Sequence, residues 1–160
     1  MEDPWPLQPQ PQRAAAVSAA IDGASPAGIL DLALRAATRA EQLWSAPGGG
    51  SFADAVRHVH DHLIQLRELR PDDIPERFFP DGPLTIVPLA LALATIMDSA
   101  EAATLLAANT GGDSDSVASI AGGVLGARCP ATVNEDWYVV EQVNGHDLVS
   151  LAADLVASRH

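Results

Sequence analysis

The 160-residue chain contains no lysine: its nine cations are all arginine, set against 21 acidic residues, for a net charge of −12. A surface so acidic repels nucleic-acid phosphates and anionic lipid headgroups, which excludes nucleic acid and membrane as partners. Cysteine is nearly absent as well. Cys129 stands alone and makes no internal disulfide, which fits a reducing compartment, and a cytoplasmic placement is expected. The start, Met1-Glu2-Asp3-Pro4, lacks the basic region and apolar core of a signal peptide. The longest apolar run, Leu84 to Met97, is too short to span a bilayer and contains Pro88, so it reads as a buried helix. Aromatic residues are only 4% of the chain while alanine abounds, which favours helices packed closely through small side chains.

Hydrophobic types make up 48% and charged types 19%, the balance of one globular domain with its own core. Residues 1–13 alternate proline with glutamine and are expected to form a disordered or extended tail, leaving 14–160 as the domain. Helices follow. One runs from Ala14 to Ile21 and is stopped by Asp22-Gly23. A second starts at Ser25-Pro26 and places Ile29, Ala33, Ala36, Ala40 and Leu43 on one face. Ser51 caps a third, with Phe52, Val56, Val59, Leu63 and Leu66 in phase, closed by Arg70-Pro71. Beyond a proline-rich loop lie a central apolar helix from Leu84 to Asp98, a helix capped by Ser99, and one from about Asp115 to Arg128. A helix over Trp137–Val143, ended by Asn144-Gly145, and a last one with Leu148, Leu151, Ala152, Leu155 and Val156 on one face complete the reading. No strand pattern stands out, and the fold class is all-α, an irregular bundle of about seven helices.

The stretch that carries chemistry is Gly111-Gly112-Asp113-Ser114-Asp115-Ser116. Two glycines let the backbone turn sharply, and two carboxylates and a hydroxyl follow where a helix begins. Such a turn can aim three oxygen donors at one point, the donor type that Mg²⁺ and Ca²⁺ prefer. The same residues also read as a helix cap, with Asp115 or Ser116 capping and Asp113 favouring the positive end of the dipole. Downstream, Ala118, Gly122 and Gly126 recur every four residues, and with Gly123 they predict another helix lying very close.

The run NTGGDSDSVASIAGGVLGARCP, Asn109 to Pro130, resembles the C-terminal signature of the ADP-ribosylglycohydrolase family, Gly-Gly-Asp-Thr-Asp-Thr followed by a small-residue helix. Serines 114 and 116 replace threonine and keep the hydroxyl, and Trp137 fits a family tryptophan in the next helix. The resemblance implies an all-α orthogonal bundle of that family's type, two divalent cations, usually Mg²⁺, and hydrolysis of the glycosidic bond between ADP-ribose and an acceptor. By motif position Asp113 and Asp115 become carboxylate ligands and Ser116 a hydroxyl ligand. ADP-ribosylated protein or ADP-ribose is the implied substrate. The family's second motif, Thr-Asp-Asp-Thr, its glycine-rich start and its diphosphate loops have no counterpart here. Pro71-Asp72-Asp73-Ile74 has the paired acids without the hydroxyls. The chain therefore reads as the C-terminal half of a domain about twice as long, lacking the N-terminal half. It is expected to be inactive by itself and to associate with that half or with itself. The alternative is a non-catalytic truncated relic serving as a binding or structural helical module, as lens crystallins resembling this family do.

Two further features could carry chemistry. His58 and His62 are one helical turn apart, beside His60 and Asp61, and could chelate zinc, although a solvated helix face is the better account of them. Cys129 has no histidine near it in sequence to act as a base and reads as an inert thiol. Arg35, Arg39, Arg57, Arg67 and Arg70 are expected to pair with local carboxylates.

Overall fold

The computed structural model describes residues 10–43, 51–66, 68–74, 78–137 and 142–158. Seven α-helices occur among them: α1 (Gln10–Ile21), α2 (Pro26–Leu43), α3 (Phe52–Leu63), α4 (Pro83–Ile96), α5 (Ala100–Ala108), α6 (Ser114–Arg128) and α7 (Leu148–Ala157). The fold is all-α. None of the helices is long and apolar enough to cross a membrane.

The core is built around α4, whose ten consecutive residues Ile86–Thr95 are all buried. A helix apolar on every side needs neighbours on every side, and α2, α3, α5 and α6 supply them. Pro88 lies inside this helix, past its first turn, and has no N–H to give the Leu84 carbonyl. Thr95 returns its hydroxyl to the Leu91 carbonyl at 2.8 Å, so the one buried hydroxyl of α4 is satisfied. Helix α6 packs against α4, α5 and α1.

Caps read from sequence are made. The Ser51 hydroxyl accepts from the Asp54 N–H, that of Ser99 from the Ala102 N–H, and that of Ser25 from the Gly28 N–H, each at 3.2 Å. Gly23, at φ 77°, ends α1 while the Ala24 N–H reaches back to the Ala19 carbonyl at 2.9 Å. Ser99→Ala should cost about 1 kcal/mol, a fall in melting temperature of about 2–4 °C for a chain of this size. The first N–H of α5 would stay bonded to the Thr132 hydroxyl, so a fall far beyond that range would show the two caps to be coupled.

Several expectations are corrected. Helix α1 begins at Gln10, so Gln10–Arg13 are not tail: Pro11 sits in the first turn, where a missing N–H is harmless, and the Gln12 side chain is only 4% exposed. The expected tail over 1–9 lies outside the described residues. In α2 the buried line is Ile29, Ala33 and Ala37, a strict four-residue repeat, while Leu43 is exposed. Helix α3 stops at Leu63, not Arg70. The Ile64, Gln65 and Leu66 N–H groups fold back onto the carbonyls of His60, His62 and Leu63, and the Gln65 amide takes the Asp61 carbonyl at 2.9 Å. That carbonyl is the acceptor another turn of helix would have given the Gln65 N–H.

The region after α6 departs further. Trp137 ends a 3-10 turn, Glu135–Trp137, and not a helix. Beyond it Gln142–Val143 (β1) pairs antiparallel with His146–Asp147 (β2) around Asn144 (φ 51°) and Gly145 (φ 79°). Two successive positive φ values make the turn of a tight hairpin, so the dipeptide read as a helix stop closes a ribbon instead. Asp147 then caps α7, accepting from the Ser150 N–H at 2.6 Å, and this bond draws its carboxyl below the ordinary carboxylate range. The apolar face predicted for α7 is real but not buried: Leu148, Val149, Leu151, Leu155 and Val156 are 39 to 79% exposed.

Candidate metal centre

The Asp113–Ser116 turn is shaped from both sides. Before it, α5 ends with the Thr110 hydroxyl on the Ala107 carbonyl at 2.8 Å and the Asn109 amide on the Leu105 carbonyl at 2.7 Å. Gly111 and Gly112 then take φ of 77° and 60°. Phe79 and Pro80 lie directly on this backbone: a Cβ on Gly112 would stand 2.4 Å from the Pro80 carbonyl oxygen and 3.0 Å from the Phe79 ring. The same oxygen accepts the Asp113 N–H at 2.7 Å. A proline-rich loop thus clamps the glycine turn and fixes the entry into α6.

Asp113 occupies the cap position of α6, and although the Ser116 N–H that a cap would take lies near enough to pull on its carboxylate, no well-aligned capping hydrogen bond closes. In this it differs from Ser51, Ser99 and Asp147. The bland reading, in which Asp115 or Ser116 caps, is corrected too, since both lie inside the helix. The half-buried Asp113 carboxyl is held below its ordinary range, first by the Ser116 hydroxyl, then by the Asp115 side chain, with smaller pulls from the Ser116 N–H and the positive charge of Arg13. It therefore stays ionised at lower pH than a free carboxylate. Its share of stability is complete above the unfolded carboxylate pKa and is lost only as pH falls through the lowered folded value.

Asp115 and Ser116 open into one surface depression of about 220 Å³, shared with Ser119, Ile120 and Arg13. Asp113 stands beside it, within reach of Ser116. Two residues here escaped the sequence reading. Ser119 stands one turn beyond Asp115, a spacing that could have revealed it. Arg13 was hidden because its segment was read as tail. Its Nε is buried without a partner, and its charge reaches Asp113.

The donor chemistry fits one hard cation. Two carboxylates and a hydroxyl from one turn, with a depression open to water, can hold one Mg²⁺ that keeps several waters. It does not fit two ions. Among the described residues no group of three or more His, Cys, Asp or Glu gathers as metal ligands, and the nearest extra charge is a guanidinium of the wrong sign.

The remaining candidates lie elsewhere. His58 and His62 set their rings edge-on against Phe78, at centroid distances of 5.3 and 5.4 Å, and no group of three or more His, Cys, Asp or Glu forms around them among the described residues. Asp73 closes its own turn by accepting the Arg70 N–H at 2.7 Å. Cys129 is half-buried at the far end of α6, about 20 Å along the axis from Asp113. Arg35 pairs with Asp31, Arg57 with Asp54 at 2.9 Å, and Arg70 with Glu68 at 2.6 Å. Arg39 has no such pair among the described residues, and Arg67 lies outside them. The small-residue stripe does face a close neighbour, α5: a Cβ on Gly122 would meet the Thr104 hydroxyl at 2.8 Å, and Ala118 is buried, while a Cβ on Gly126 would touch Val133 at 3.8 Å and Gly123 faces open space.

The sequence matches the ADP-ribosylglycohydrolase family over residues 13–160. No curated protein and no solved structure matches the chain. With nearly its whole length matched, the chain belongs to the ADP-ribosylglycohydrolase family.

Proposed function

We propose that this member of the ADP-ribosylglycohydrolase family supplies one side of a Mg²⁺-dependent site that hydrolyses the bond between ADP-ribose and an acceptor. Asp113, Asp115 and Ser116 are the ligands it offers, and a second set comes from an N-terminal half carrying the Thr-Asp-Asp-Thr motif. The observation that carries the reading is the acidic turn itself. Asp113 sits at the head of α6 within reach of the Ser116 hydroxyl and N–H, while Asp115 and Ser116 open into the adjoining depression. When bound, the metal would supply positive charge to orient substrate oxygens and lower the pKa of a water. The chain's own groups hold that charge in place, and the clamp of Phe79 and Pro80 keeps the turn from relaxing. The exposed apolar face of α7 supports a partner half, since a ten-residue helix without tertiary cover is marginal in water.

A second reading follows from the ligand count. With donors for one ion and Arg13 on the wall, the chain is a non-catalytic module that still binds one cation. Both readings predict metal binding, and a chain whose acidic turn only begins a helix predicts none. Melting curves at matched ionic strength separate these. At about ten times its Kd, Mg²⁺ adds about 1.4 kcal/mol, a rise of about 3–6 °C. Asp115→Ala should abolish the rise and leave the metal-free melting temperature nearly unchanged, because Asp115 is exposed. Arg13→Gln should shift the midpoint to lower Mg²⁺, since a fixed positive charge beside the ligands opposes the ion. No Mg²⁺ response in the unmodified chain removes the metal from both readings.

A further inference from the structure

A second hollow, of about 360 Å³, lies between α2 and α3 and shares no residue with the acidic turn. Three of the chain's nine cations line it, Arg35 and Arg39 from α2 and Arg57 from α3. That concentration stands out in a protein of net charge −12. Arg35 and Arg39 are one helical turn apart, a spacing at which like charges repel. Asp31, which also lines the hollow, pairs with Arg35, and Asp54 with Arg57, both on exposed surface, while Arg39 pairs with no carboxylate among the described residues. The local balance is one positive charge in excess.

We propose that this hollow binds a phosphate group, inorganic or as a small phosphomonoester, held between Arg39 and Arg57 with the Gln42 amide as a neutral donor. Guanidinium forks match the oxygens of a phosphate in pairs. Exposed arginine–aspartate pairs are worth only about 0.2–1 kcal/mol, so Arg35 and Arg57 can turn from their aspartates to an incoming anion at little cost. The excess acid elsewhere repels a long polyanion, but charges farther than a Debye length of about 8 Å are screened from a small one. The volume lies at the lower end of the range of about 300–1,000 Å³ for small-molecule clefts.

Calorimetric titration of the full chain in Mg²⁺-free, low-salt buffer tests this, with inorganic phosphate and glycerol 3-phosphate as probes and sodium chloride matching ionic strength. Saturable binding is expected. Arg39→Gln, an exposed substitution, should weaken it about tenfold, the loss of one charge-assisted hydrogen-bond pair. Asp115→Ala should leave it intact, so its failure and that of the metal reading are separable. Tighter binding of the ester assigns the site to a metabolite, and equal binding assigns it to the phosphate group alone. A linear, unsaturable titration overturns the proposal, as does an unchanged Kd in Arg39→Gln. So does a glutamate-rich peptide that binds in the hollow and is not displaced by phosphate.

Discussion

Gly112→Ala should cost about 2–5 kcal/mol and lower the melting temperature by about 4–20 °C. Two separate penalties add. Alanine at φ 60° enters the left-handed region, at about 1–2 kcal/mol. Its Cβ would also stand 2.4 Å from the Pro80 carbonyl oxygen, which cannot swing aside without giving up the Asp113 N–H. Forcing a methyl into such a packed contact costs about 1–3 kcal/mol. Gly111→Ala shares the strained φ but meets only the Phe79 ring, at 3.1 Å, and should suffer less. The control is Gly123→Ala. Gly123 lies inside α6 with nothing within 4 Å of a Cβ, so alanine there should stabilise by about 0.5–1 kcal/mol. If Gly112→Ala melts like the unmodified chain, Phe79 and Pro80 do not hold the turn, and the geometry argued for the acidic residues goes with them.

The clamp shows what a sequence reading reaches and where it stops. The Gly-Gly-Asp-Ser-Asp-Ser motif was legible because its chemistry is local: six consecutive residues contain the turn, the acids and the hydroxyl. The apolar run of α4 and the caps at Ser51 and Ser99 were legible for the same reason. What holds the turn was not, because Phe79 and Pro80 lie about thirty residues away and carry no local sign of their target. Arg13 reaches the site through packing of α1 on α6, which only the tertiary fold reveals. Asn144-Gly145 was misassigned because one dipeptide serves both as a helix stop and as a hairpin turn. The flanking residues, which pair over only two positions on each side, are too few to show strand alternation. The end of α3 was lost because Gln65 and its neighbours favour helix by propensity. Local competition for the Asp61 carbonyl then ends it. For α7 the periodicity named the apolar face correctly, but amphipathicity shows which side wants cover and not what provides it.

The largest effect expected on activity is its appearance when the second half is supplied. Mg²⁺ asks for about six oxygens in a near-octahedral shell. Asp113, Asp115 and Ser116 give three from a single turn, and nothing else among the described residues joins them as a cluster. Two ions at catalytic spacing need carboxylates on both sides, and here one side is Arg13, whose charge opposes a cation entering there. The purified 160-residue chain should therefore release no ADP-ribose above the uncatalysed rate from ADP-ribosylated protein, with or without Mg²⁺. Co-expression with an N-terminal half from another family member, carrying Thr-Asp-Asp-Thr, should give Mg²⁺-dependent release, and that release should vanish in Asp113→Ala and Asp115→Ala. Co-purification of the two halves is the accompanying physical readout, because the apolar face of α7 would then have a partner. Turnover by the chain alone would mean that three ligands and a guanidinium suffice, and the argument from coordination number would fall. A stable complex without turnover would instead favour the non-catalytic module, in which one bound cation holds the acidic turn and does no chemistry.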